Sequence, residues 1–144
     1  MRKITSYSEI YERCLSRIED YTLATLPEDE LEKMLFDWFK KAVVKMPRSE
    51  SDLTQRNDAK RTFLIDITDV EKEVLAIFMA NEWLTPQINS ILLTKQFIGG
   101  KEEKWFSQAS HLAELQALRD ANRAEAKNLL CETSYSGANS YFQS

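Results

Sequence analysis

The chain is poor in the residues that break regular structure. Three glycines and three prolines in 144 residues argue against a β fold, whose many reversals need them, and favour long helices. Two cysteines, Cys14 and Cys131, are far apart in sequence and make no disulfide framework. Both fall in predicted helices, where they read as small buried thiols of a reducing compartment. One histidine, His111, with Glu114 in reach by spacing, falls short of the three or four ligands that a metal site needs. No apolar run approaches the roughly 20 residues that cross a bilayer. The start MRKITSYSEIYE has no apolar stretch behind its basic residues, so no signal peptide and no membrane association are expected.

An excess of one charge is missing as well. The net charge is −4, with both signs mixed along the chain, so nothing supplies the sustained positive field that non-specific DNA binding requires. Acidic groups occur at Glu28 to Glu30, at Asp66 to Glu73 and at Glu102-Glu103. The first two lie where helices begin, and acids are stabilised there by the helix dipole. Paired carboxylates catalyse only when burial separates their pKa values, and no pattern here implies that. Gly99-Gly100 lacks the spacing of a phosphate-binding loop. The expectation is a protein that is not an enzyme and uses no metal and no cofactor.

What is present is helical periodicity. Ser6 and Glu9 have capping-box spacing and open a helix over about 7–22. Pro27 suits the first position of a second helix, which carries Leu31, Met34, Leu35, Trp38, Ala42 and Val43 on one side and stops at Pro47. Thr68 and Glu71 open a third, ending near Trp83-Leu84. Thr85-Pro86 starts a fourth, with Ile88, Ile91, Leu92 and Phe97 inward, and Gly99-Gly100 ends it. The fifth and longest runs from Trp105 to Cys131, with Leu112, Leu115, Leu118, Ala126 and Leu129 on one stripe that Asn122 interrupts. At about 1.5 Å per residue it is roughly 40 Å long, as wide as the whole domain.

The fold expected is therefore all-α: a single-domain bundle of about five helices over residues 1–132, with one long polar loop at 47–62 and an extended tail at 133–144. The polar loop exceeds the length usual in compact domains, so it is either functional or mobile. Phe63 to Ile67 is the one segment that could be extended, on an imperfect alternation; the other reading is a hydrophobic lead-in to the next helix. Trp105-Phe106 cannot both face one stripe, because neighbouring helical residues point about 100° apart, and an exposed aromatic anchor is one explanation. The tail SYSGANSYFQS is open to three readings: strand addition to a partner, a frayed terminus, or the remnant of a protease recognition site, which YFQS resembles.

From Phe63 to Tyr135 the chain resembles the small helical connector proteins encoded among tailed-bacteriophage virion genes. The likeness is carried by the acidic helix start (Asp66, Thr68, Glu71), the Trp83-Leu84-x-Pro86 joint, Gln96-Phe97, Lys104-x-Phe106-Ser107, Leu112, Leu115 and the tyrosine-containing tail. The resemblance implies a head-to-tail connector, also called an adaptor or neck protein. Such a protein is mostly helical, forms a ring (commonly twelve-fold) beneath the portal protein, and docks a C-terminal extension onto it. The expected partners are then the portal, further copies of this chain, the next neck or tail component, and DNA only in passage through the channel. The expected location is the virion neck, after synthesis in the host cytoplasm. Trp105, Phe106, Tyr135, Tyr141 and Phe142 are the candidate docking residues. Arg48, Glu50, Asp52, Arg56 and Asp58 are the candidate channel-lining or ring-contact residues. The alternative is a small cytosolic helical regulator that binds one protein through the long helix.

Overall fold

The structure, a computed structural model, describes residues 3–18, 23–47, 49–98 and 102–142, with side chains described at 3–18, 23–47, 49–95 and 108–132. Four α-helices and one small hairpin follow in chain order: α1 Tyr7–Arg17, a 3-10 turn Leu23–Thr25, α2 Glu28–Lys45, β1 Arg56–Asn57, β2 Thr62–Phe63, α3 Asp69–Ile98 and α4 Glu102–Phe142. The mostly helical class is as expected; the number of helices is not.

Two predicted helices are one. α3 runs unbroken through Pro86 for 30 residues, although proline removes a backbone donor and crowds the preceding turn. The stripe that faces α4 continues through the proline, from Val74 and Ile77 to Leu84 and Ile88, so packing on both sides favours a single rod. Side chains also serve the carbonyls around the gap: Thr85 Oγ1 donates to Asn81 O at 2.9 Å and Gln87 Nε2 to Trp83 O at 3.1 Å. The expected tail is corrected too. α4 extends to Phe142 over 41 residues, about 60 Å, so residues 133–142 are helical. Once a helix is nucleated each further residue adds a hydrogen bond, and no proline follows Pro86 to stop it.

The local capping signals are realised in part. Thr68 and Glu71 form a reciprocal capping box, Glu71 N donating to Thr68 Oγ1 at 3.1 Å and Thr68 N to the Glu71 carboxylate at 3.0 Å. Ser6 does cap α1, but its hydroxyl accepts from Ser8 N, and Glu9 pairs instead with Lys72 at 2.9 Å. Pro27 is the residue before α2 and not its first. α1 ends at Arg17, short of the expected 22.

The main core joins α1, α2, the hairpin and the first half of α3. Its centre is aromatic: the rings of Tyr7 and Phe39 lie 4.2 Å apart, with Phe63 at 5.3 Å and 5.8 Å from them. Phe63 is brought there by β2. Residues 5–7 bond alongside that strand, Phe63 N donating to Thr5 O at 2.8 Å and Tyr7 N to Arg61 O at 2.9 Å. Of the Phe63–Ile67 segment only Phe63 lies in a strand; the rest leads into α3. Cys14 is buried in this core, which pushes its thiol pKa up to about 12, whereas Cys131 is exposed, against expectation.

α3 and α4 pack antiparallel as a long hairpin. Ile88 and Leu84 meet Leu112 and Leu115, and Val74 and Ile77 meet Ala126. Beyond Trp83, which joins the two larger clusters, the hairpin continues as an arm of two helices.

Candidate functional site

The loop expected to line a channel is tied down by its neighbours. Leu53 is buried. The Glu71 carboxylate, itself only 3% exposed, accepts from Ser51 N at 3.1 Å and Ser51 Oγ at 2.6 Å in addition to closing its capping box. Burial works against this charge, yet the bonds from Ser51 and Thr68 outweigh it and hold the carboxyl below its ordinary range. One acidic side chain thereby fixes both the start of α3 and the near end of the loop.

At the far end of the loop, Arg61 adopts a left-handed conformation with φ 54, a strained setting for a residue with a Cβ. Three contacts hold it there: a 2.6 Å bond to Glu32, its guanidinium 3.5 Å over the Phe36 ring, and a bond from Nη1 to Asp58 O. Of the loop residues singled out above, Arg56 donates to Leu53 O and pairs with Asp58, and Asp58 accepts from the Tyr7 hydroxyl at 2.6 Å. Asp52 folds back on Thr54 N and Thr54 Oγ1 while staying exposed, and Glu50 is exposed. Arg48 lies outside the described residues. The loop is thus a braced lobe whose outward acids are Glu50 and Asp52.

The candidate docking aromatics Trp105, Phe106, Tyr135, Tyr141 and Phe142 fall within the bounds of α4, but their side chains lie outside the described ones. What the sequence reading missed is how α4 is attached. Asn122, the break in its stripe, is buried and donates to Asn81 Oδ1 at 2.9 Å, while Asn81 Nδ2 donates to Arg119 O at 3.3 Å. One amide bonds the other and is itself tied to the backbone of α4, and the interruption in the stripe was the legible sign of it. A second attachment is electrostatic. Arg17 on α1 bonds Glu73 of α3 at 2.6 Å and Glu125 of α4 at 2.8 Å, and Arg13 bonds Glu73 at 2.7 Å. The Arg17 guanidinium is raised by its bonds to Glu125 and Glu73, and both carboxyls are lowered in turn. Close by, the buried Lys72 is paired with Glu9, with Asp66 and Asp69 at 3.7 Å.

Several apolar side chains have no cover. Leu92 and Leu93 are exposed on the arm, Leu118 on α4 is 45% exposed, where the stripe had placed it inward, and Val44 on α2 is 84% exposed. Val44 stands in an open cleft of about 390 Å³ lined also by Asp37, Lys40, Lys41, Lys45 and Glu82. His111 is exposed. Among the described residues no group of three His, Cys, Asp or Glu side chains is placed to hold a metal ion. The buried polar atoms left without a partner there, Tyr11 Oη, Gln108 Oε1 and Arg119 Nε, belong to separate places and outline no common pocket. No family model matches the chain, and no curated protein and no solved structure is significantly similar to it.

Proposed function

We propose that this chain is a structural connector of a tailed-phage virion, forming a ring that joins the portal to the neck or tail and extends the DNA channel. The observation that carries the reading is α4: a helix of about 60 Å that packs along one side on α3 and leaves its outer side, from Ser110 to Glu132, largely exposed. A helix so long and so thinly covered is suited to neighbours on more than one side, as a subunit in a ring has. Its last turns run beyond the start of α3, since Val70 and Val74 pack with Leu129 and Leu130, and so can reach the portal. The braced lobe, with Glu50, Asp52 and Lys60 exposed, would line the lumen or meet a neighbouring ring.

The test is to add the purified chain to portal-bearing heads and image the particles at a resolution that traces helices. The expected result is a ring at the portal vertex, with residues from Thr133 onward ordered against portal protein. Truncation before Thr133 should abolish attachment and leave the helical content of the rest unchanged. Full attachment of the truncated chain would remove the tail's role. Absence of any ring would favour the cytosolic-regulator alternative, for which α4 is the surface to use in a pull-down.

A further inference from the structure

The two flanks of the α3–α4 hairpin carry different chemistry. Glu73, which bonds Arg13 and Arg17 of α1, and Glu82, which bonds Lys45 of α2, are nine residues apart on α3. At about 100° per residue that is half a turn, so the ion pairs made by α1 and α2 mark opposite edges of the face that α3 turns to their shared core. On the α1 flank, Glu114, Leu118, Glu125 and Glu132 of α4 fall within about 40° of one another; all are exposed, and Glu125 is the one already bonded to Arg17. This edge is an apolar residue among acids. On the α2 flank, the cleft around Val44 is an apolar residue among three lysines and two acids, with a net positive rim: Lys40 lies over the Phe36 ring, Lys41 pairs with Asp37 at 3.1 Å, and Lys45 pairs with the buried Glu82.

We infer that the lysine-rimmed Val44 cleft of one copy receives the Glu114–Leu118–Glu125 edge of a second copy, head to tail. The occupant is argued from complementarity of both kinds at once: a basic rim meets an acidic one, and the most exposed large apolar side chain on one flank meets the exposed leucine on the other. Lys40 and Lys41 are exposed, as is Asp37, so their present contacts exchange partners at little cost, while Lys45 stays with the buried Glu82. Because the two surfaces are different and lie on opposite flanks, the contact leaves one of each unused on every pair. Repetition then builds a ring or a filament, not a closed dimer. The inference rests on the connector reading and adds which surfaces join its subunits.

Val44→Cys and Leu118→Cys, made singly and together in a Cys131→Ser background, test it under mild oxidation, both in free protein at high concentration and on portal-bearing heads. The double variant is expected to give a ladder of linked species beyond the dimer, and each single variant none. In parallel, Val44→Glu should weaken self-association at least tenfold by sedimentation, and Leu118→Lys added to it should restore most of the loss. Unchanged melting temperatures confirm that the variants fold. If the single variants link as readily as the double, or if a ring forms on heads without the ladder, the inferred contact is overturned while the connector reading stands. If no assembly forms in either setting, both fall.

Discussion

The molecule has a thick region and a thin one, and they are held by different means. In the thick region α1, α2, the hairpin and the first half of α3 surround a shared core in which Tyr7, Ile10, Phe39 and Phe63 are fully buried. In the arm, Leu84, Ile88, Leu112 and Leu115 form a single buried layer between two helices, and Leu92 and Leu93 point outward. A core enclosed on all sides obtains its stability from buried area; a two-helix layer buries little and depends on each contact that aligns the helices. The arm should therefore open locally at lower free energy than the body, and cover from a neighbouring molecule would change it most.

The sharpest way to break the comparison is at the aromatic centre. Phe39→Ala should destabilise the whole chain by about 3–5 kcal/mol, measured by urea unfolding, because the surrounding rings cannot collapse into the space. A loss under about 1 kcal/mol would show that the body is no better packed than the arm. Next in size is Asn122→Ala. It leaves the Asn81 side-chain Oδ1 buried without its donor, at a cost of about 1–3 kcal/mol. Hydrogen exchange should rise along the arm and along α4 and stay unchanged in α1 and α2. Exchange that rises uniformly would mean that body and arm unfold as one unit.

The smallest expected effect concerns acid. Glu71 has a folded-state pKa below its ordinary 4.5, so its contribution is complete above that value and is lost as the pH falls toward the lower one. Glu71→Gln should cost about 1 kcal/mol near neutrality, since the amide keeps one acceptor but loses the charge. It should also flatten the acid dependence of the unfolding midpoint below pH 4.5. Glu73 and Glu125 are depressed in the same sense and continue to titrate in the variant, so the difference between the two curves isolates Glu71. Superimposable curves would mean that the Ser51 and Thr68 bonds do not favour the charged form.

How much was legible in the sequence differs between the same two regions. The helical class, the Thr68–Glu71 box and Leu35, Trp38 and Ala42 on the inward face of α2 follow from spacing, because local hydrogen bonds and periodic burial leave marks within four residues; Phe39, at the centre of the core, lay off the expected stripe. Pro86 was misleading because its local preference for a helix start competes with tertiary packing, and Leu84 and Ile88 on either side decide in favour of continuity. Polar composition made 47–62 look unanchored, since a loop fixed by Leu53, Arg61 and a carboxylate twenty residues on shows no periodic pattern. Asn122 was visible only as a gap; its partner Asn81, 41 residues away, has no local signature. Val44 and Leu118 were counted neither as site residues nor as exposed, because a helical stripe does not reveal which of its edges a neighbour covers.

The amide pair between α3 and α4 also acts as a notch. A slide of α4 by one turn, about 5.4 Å, would carry Asn122 past Asn81 to the level of Ile77 or Leu84, both buried and neither able to bond it. Intermediate positions leave two amides unpaired at once. Axial slippage is thus penalised in both directions, while tilting of the hairpin as a unit keeps the pair intact. Any displacement imposed on the far end of α4 should therefore travel along the rod to the body as a pivot and not as a screw.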